Sequence, residues 1–315
     1  MSKSSNLRRV LSSGEFGVTG EVGPPMGAEP EAVKAKAEIL RGCCDAYNVT
    51  DNQTAVVRMS SIAASAILLG EGLEPVMQMV CRDRNRIAIQ SDILGAAALG
   101  IGNCLCLSGD HQSFGAAGKL HGHPGAKNVY DIDSIQLLSV LRELRDEARQ
   151  QGGDSVSTAP EMYIGAAWTP LGDPVEFRVI RLAKKVAAGA EFIQTQSIFD
   201  VPGFAEQMKV VRDEGLHKKV AIMAGIIVPK SAGMLRYMNK SVAGVSVPDE
   251  LIDRMAQAAD RKEEGLKVTV ELIEQVRAIE GVRGVHIQAI EAEELIPEIT
   301  KRANLLPRPS SGDVK

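Results

Sequence analysis

The chain has 315 residues, 44% hydrophobic and 24% charged, an ordinary globular composition with length enough for one large α/β barrel. A net charge of -4 and an aromatic content of only 3% argue against a basic, base-stacking surface for nucleic acid and against electrostatic attachment to an anionic membrane. Cys43, Cys44, Cys81, Cys104 and Cys106 are odd in number and lack CxxC pairing, which argues against a disulfide scaffold and a complete zinc or iron–sulfur site within the chain.

The opening "MSKSSNLRRVLSSG" carries basic residues without the apolar stretch of a secretory signal, and residues 1–13 read as a flexible terminus. The first strand run, "EFGVTGEV", ends in Glu21, Val22 and then Gly23, Pro24 and Pro25. "CDAYNVTD" follows as the second. The longest low-polarity run, "SIAASAILLG", is too short to span a bilayer, so a cytoplasmic protein is expected. "EPVMQMVC" and "NCLCLSGD" are the third and fourth strands, with Cys81, Cys104 and Cys106 reading as small buried hydrophobes. A long connection rich in Gly and His, "GDHQSFGAAGKLHGHPGAKNVYDID", has the character of an active-site lid. Its His121 and His123 lack acidic or Cys partners nearby, so no metal site is expected.

Beyond it, "DSIQLLSVLRELRDEARQ" places Leu137, Leu138, Leu141 and Leu144 on one helical face. "MYIGAAWT" is the fifth strand, and "EFRVIRLAKKVAAGA" a helix ending at Gly189. Arg181, Lys184 and Lys185 on that helix form either a solvated face or a phosphate contact. In the sixth strand, "FIQTQSIFD", Thr195 and Ser197 share one face and Gln194 and Gln196 the other. "VAIMAGIIV", a helix with Pro248 in its first turn, and "VRGVHIQAI" complete the series.

Eight strand runs with helices between them predict an α/β fold, a single (β/α)8 TIM barrel over residues 14–307, with 308–315 a flexible tail. The rival open doubly wound sheet lacks a GxGxxG after the first strand. No GxSxG, Walker A or HExxH occurs. In a barrel the site lies at the carboxyl ends of the strands, which selects Glu21, Thr50, Gln78, Asp110, Trp168, Gln196 and Gln288. Asp110 taken alone is also an ordinary turn or N-cap residue, and Gly109 before it would let a planar ligand approach the backbone.

In this order, "VTGEVGPP", "YNVTDNQ", "CLCLSGDH", "AKKVAAGAEFIQTQSIFD" and "MAGIIVPKSAGM" resemble the methylenetetrahydrofolate reductase family, flavin-dependent barrels of one-carbon metabolism. "RNRIAIQSDILGAAALGI" and "GHPGAKNVYDIDSIQLL" are similar to the short, anaerobic branch of that family, whose flavin subunit is often paired with an iron–sulfur, zinc-containing subunit that supplies electrons. The resemblance implies a bound flavin, FAD or FMN, and a folate substrate, and it is compatible with a homo-oligomer, the sequence leaving the oligomeric state open. It assigns Glu21 as general acid, Asp110 beside flavin and pterin, and Gln196 on the pterin, with Gln288 a further substrate contact at its strand end. Thr50, Gly109, Trp168, Lys184 and Lys185 fall at or near flavin-contact positions, with Arg181 one turn before Lys185. Gln78 stands where many members carry His, Ser108 where many carry Arg, Trp168 for the usual Tyr, and Ala292 where some carry Arg.

The chemistry so implied needs Glu21 to hold a proton near neutral pH, which apolar neighbours favour, and Asp110 to stay ionised in a low-dielectric pocket. Two other readings compete. One is a flavin- or folate-binding barrel within a corrinoid or electron-transfer assembly, without complete reductase activity alone. The other, a metal-dependent lyase, would need a bound metal.

Overall fold

All eight runs expected as strands are strands, and nearly every strand residue is buried, as in a parallel sheet covered on both faces. The computed structural model describes residues 5–113, 122–290 and 292–309. The order is α1 (Asn6–Ser13), β1 (Gly17–Val22), α2 (Pro30–Leu40), β2 (Ala46–Val49), α3 (Ser61–Gly70), β3 (Pro75–Val80), α4 (Arg86–Ala98), β4 (Asn103–Leu107) and α5 (Ser134–Asp146). It continues with β5 (Tyr163–Trp168), α6 (Phe177–Ala188), β6 (Phe192–Ser197), α7 (Val201–Asp213), β7 (Ala221–Ile227), α8 (Ala232–Ser241), α9 (Asp249–Gln257), α10 (Arg261–Arg277), β8 (Val282–Gln288) and α11 (Ile296–Arg302). Each strand pairs in parallel with the next, and β8 closes on β1, so the sheet is a closed (β/α)8 barrel.

Local chemistry sets the helix ends. Asp133 caps α5 through the backbone N–H groups of Ile135 and Gln136, while the Gln136 side chain reaches back to the Asp133 N–H, forming a capping box. Leu137, Leu138, Leu141 and Leu144 are buried together on its inner face, as their spacing predicts. Gly189 ends α6 at φ 121°, where a side chain would be strained. Pro248 sits one position ahead of expectation, as the N-cap of α9.

The amino-terminal face is plugged by residues 5–13, which corrects the reading of that stretch as flexible, while residues 1–4 lie outside the described residues. Leu7 and Leu11 of α1 insert among Ala46, Val76, Leu105, Tyr163, Phe192 and Met223 inside the barrel. The Glu74 carboxylate accepts the Asn6 and Leu7 backbone N–H groups at 2.6 and 3.0 Å, placing negative charge at the positive end of the helix. Arg308 belongs to this floor as well, donating to the Phe16 carbonyl at 2.7 Å and to Asp45 at 2.6 Å. The remainder of the expected flexible tail, 310–315, lies outside the described residues.

Candidate active site

Alternation along the strands builds two polar tiers inside the upper half of the barrel. The lower tier is Thr19 of β1, Asn48 of β2, Gln194 of β6 and His286 of β8. Asn48 and Gln194 exchange amide hydrogen bonds of 2.6 and 3.0 Å, Gln194 donates to Thr19 Oγ1 at 3.0 Å, and Thr19 Oγ1 lies 3.0 Å from His286 Nδ1. Two residues further along the same chain directions come Glu21, Thr50, Gln196 and Gln288, joined by Gln78 of β3. These line a cavity of about 470 Å³ at the carboxyl ends of the strands.

Glu21 is 7% exposed, and its Oε2 lies 3.7 Å from His286 Nε2. Thr50 Oγ1 is buried without a hydrogen-bond partner. Ser197, at the register shift between β6 and β7, donates to Gln288 Oε1 at 2.7 Å, and its backbone N–H donates to Gln196 Oε1 at 3.0 Å. Both carboxamide oxygens are therefore engaged, which leaves the two NH2 groups for the cavity.

Asp110 also lines the cavity, but at its exposed mouth. This corrects the expectation of a carboxylate held in a low-dielectric pocket: the chain turns outward at Gly109, φ 90°, where an added Cβ would lie 3.0 Å from Val80 Cβ. The turn is pinned by the buried Arg82 and by Tyr130, whose side chains donate to the Asp110 carbonyl at 3.1 and 3.3 Å. Asp110 Oδ2 takes the Thr54 N–H at 3.3 Å. Thr54 and Ala55 both have positive φ, 56° and 60°, a local strain beside the cavity.

On the opposite wall, Arg181 and Lys185 sit one helical turn apart on α6 and both line the cavity. Lys184 does not. Successive helix residues point about 100° apart, and Lys184 faces solvent. Lys185 donates to the Ala167 carbonyl, and burial, reinforced by the Arg181 charge, lowers its pKa to about 8. Ser108 lines the cavity and donates to Ser134 Oγ at 3.2 Å. Trp168 touches the margin, but its indole N–H is taken by the Arg178 carbonyl at 3.0 Å and its ring packs on Phe204 at 6.4 Å. The indole is thus mainly part of the core.

Sequence reasoning passed over Thr19, Asn48 and His286 and left Gln194 without a role. Each lies two positions before a chosen residue on the same strand face, a period-2 signal that would have found them. All five cysteines are buried free thiols, and burial pushes Cys81 up to about 12. Among the described residues no group of three or more His, Cys, Asp or Glu side chains is arranged to hold a metal. His121 and most of the centre of the lid-like loop lie outside those residues. No helix among them is long and apolar enough to cross a membrane.

A family model described as methylenetetrahydrofolate reductase matches residues 6–304. The chain is 25% identical over 242 residues to methylenetetrahydrofolate reductase 1 of Schizosaccharomyces pombe, covering 74% of this chain and 36% of that protein. It is 24% identical over 262 residues to a probable methylenetetrahydrofolate reductase (NADPH) of Caenorhabditis elegans, covering 81% and 36%. The chain thus spans about a third of the length of these relatives. Among solved structures, an uncharacterized protein from Clostridium thermocellum, described as binding two copies of 5-methyl-5,6,7,8-tetrahydrofolic acid, shares the fold. Its TM-score is 0.65 at 13% identity, over 95% of this chain and 98% of that one.

Proposed function

This chain belongs to the methylenetetrahydrofolate reductase family, and we propose that it interconverts 5,10-methylenetetrahydrofolate and 5-methyltetrahydrofolate with a bound flavin, FAD or FMN. The observation that carries the reading is a buried carboxyl, Glu21, in a cavity whose polar groups await a partner. The residues fit a flavin and a pterin. Thr50 Oγ1 is orphaned, two carboxamide NH2 groups are free of protein partners among the described residues, and Arg181 and Lys185 offer positive charge to a phosphate. About 470 Å³ is also within the usual range of small-molecule sites, roughly 300–1,000 Å³. The folate-binding neighbour from Clostridium thermocellum supports the substrate class.

A reduced flavin, when bound, supplies the two electrons as hydride to the one-carbon unit. The chain's own residues do the rest. Glu21 gives its carboxyl proton to N10 of the folate, the bond from N10 to the methylene carbon breaks, and that carbon becomes an iminium on N5. The Asp110 carboxylate would stabilise this cation, most strongly once bound ligands exclude water from the mouth. Gln196 and Gln288 direct their NH2 groups to acceptors on the pterin, so its plane is fixed before the proton moves. On the resemblance to the anaerobic branch alone, electrons enter from an iron–sulfur, zinc-containing partner, and the assay therefore reduces the flavin chemically.

Glu21→Gln should retain a bound flavin with an unchanged visible spectrum. When the dithionite-reduced protein meets methylenetetrahydrofolate, its flavin reoxidation should slow by at least about 100-fold relative to wild type. Near-normal reoxidation in that variant removes Glu21 from the mechanism, and a protein that never binds flavin overturns the cofactor assignment.

A further inference from the structure

We propose that His286 is a positioning residue for Glu21, held as the Nε2–H tautomer by the buried chain Asn48–Gln194–Thr19. The inference deepens the reductase reading above and rests on it for its catalytic consequence. His286 is almost wholly buried and is flanked in register by Thr19 on β1 and Gly225 on β7. Glu21 is the ionisable side chain that these neighbours bring against the ring, at 3.7 Å from Nε2.

The orientation of the Asn48 and Gln194 amides sets the direction of the chain. Asn48 Nδ2 donates to Gln194 Oε1 at 2.6 Å, which commits the Gln194 NH2 group to Asn48 Oδ1 and Thr19 Oγ1, each at 3.0 Å. Thr19 thereby accepts one hydrogen and has its own to give, and the acceptor at 3.0 Å is His286 Nδ1. Were Nδ1 protonated instead, with the amides so placed, the fully buried Thr19 hydroxyl hydrogen would have no acceptor, which burial penalises. Nε2 therefore carries the ring proton and faces Glu21 Oε2.

That arrangement decides which carboxyl oxygen does the work. Facing a donor, Oε2 serves as the acceptor oxygen, and the acidic proton resides on Oε1, the oxygen that the ring does not occupy. After transfer to the folate nitrogen, the carboxylate left behind retains the Nε2–H as a donor. The 3.7 Å separation is longer than a hydrogen bond, and catalytic contacts of this kind commonly tighten when substrate binds.

Two measurements test the proposal. Long-range proton–nitrogen NMR of protein labelled at histidine, with the signal assigned by its loss in His286→Gln, should show a protonated Nε2 and an unprotonated Nδ1. A protonated Nδ1 overturns the assignment, whether or not the protein reduces folate. In the flavin reoxidation assay, His286→Phe should slow the folate-dependent step by about 100-fold with flavin affinity unchanged. His286→Gln, which keeps an N–H donor near the ε position, should recover most of that rate. Equal rates for the two variants, fast or slow, refute a role through the donor. If His286→Phe does not fold, Thr19→Val replaces it, and an unchanged ring tautomer and rate there refute the chain. Wild-type protein that binds flavin but never responds to methylenetetrahydrofolate removes the functional reading instead, leaving the tautomer to the NMR result.

Discussion

At the scale of single residues, Lys185 shows how packing tunes a charge at a cavity wall. Its pKa is lowered from 10.5 to about 8, first by burial and then by Arg181. Between those two values the unfolded chain binds more protons than the folded one. This group's contribution to stability therefore rises as pH increases from about 8 to 10.5, and holding the charge below about 8 costs the empty fold something. A bound phosphate reverses that preference by pairing with the ammonium. Flavin affinity, followed by quenching of flavin fluorescence, should fall as pH rises from about 7 to 9. Lys185→Met should bind more weakly at the lower pH and show a flatter pH dependence. An equally steep dependence in the variant would place the titrating group elsewhere.

At the scale of elements, strands were legible because parallel barrel strands are short apolar runs with helical periodicity between them. Their carboxyl ends then named Glu21, Thr50, Gln78, Gln196 and Gln288 without any knowledge of contacts. The lower polar tier was hidden because its partners meet only when the sheet closes: Thr19 and His286 are 267 positions apart, and Asn48 and Gln194 are 146 apart. Lys184 and Lys185 could not be told apart because a Lys-Lys pair does not reveal which member faces inward until the helix is docked. Helix α1 was misread for another reason. Its apolar residues Leu7, Val10 and Leu11 have i, i+3, i+4 spacing, but the surrounding Ser and Arg residues make the segment look like a tail. The buried side of that helix has a measurable weight. Leu11→Ala should lower unfolding stability by about 3 kcal/mol in urea titration, the usual cost of emptying a packed leucine site. A loss below about 0.5 kcal/mol would mean the helix does not plug the barrel in solution.

At the scale of the whole molecule, the two faces of the barrel divide the work. Among the described residues the carboxyl face gathers an orphaned hydroxyl, two carboxamide NH2 groups without a protein partner and, beside them, a strained turn. The amino face gathers satisfied charges. Asp45 has no exposed side-chain area, accepts the Val18 N–H at 2.8 Å and is paired with Arg308, itself only 11% exposed. Arg308→Ala would leave that carboxylate buried without its cation and should cost about 3–5 kcal/mol of unfolding free energy. Because the Arg308 guanidinium also holds the Phe16 carbonyl at the start of β1, the loss should fall on the barrel's closure and not on one frayed end. Flavin affinity and the rate of folate-dependent reoxidation, measured below the lowered melting temperature, should stay near wild type, since Glu21 and the cavity lie at the other end of the same strands. A variant that keeps its stability would show that Arg308 is not seated in solution. One that loses stability and, while still folded, also loses flavin affinity would show that the two faces are coupled through β1.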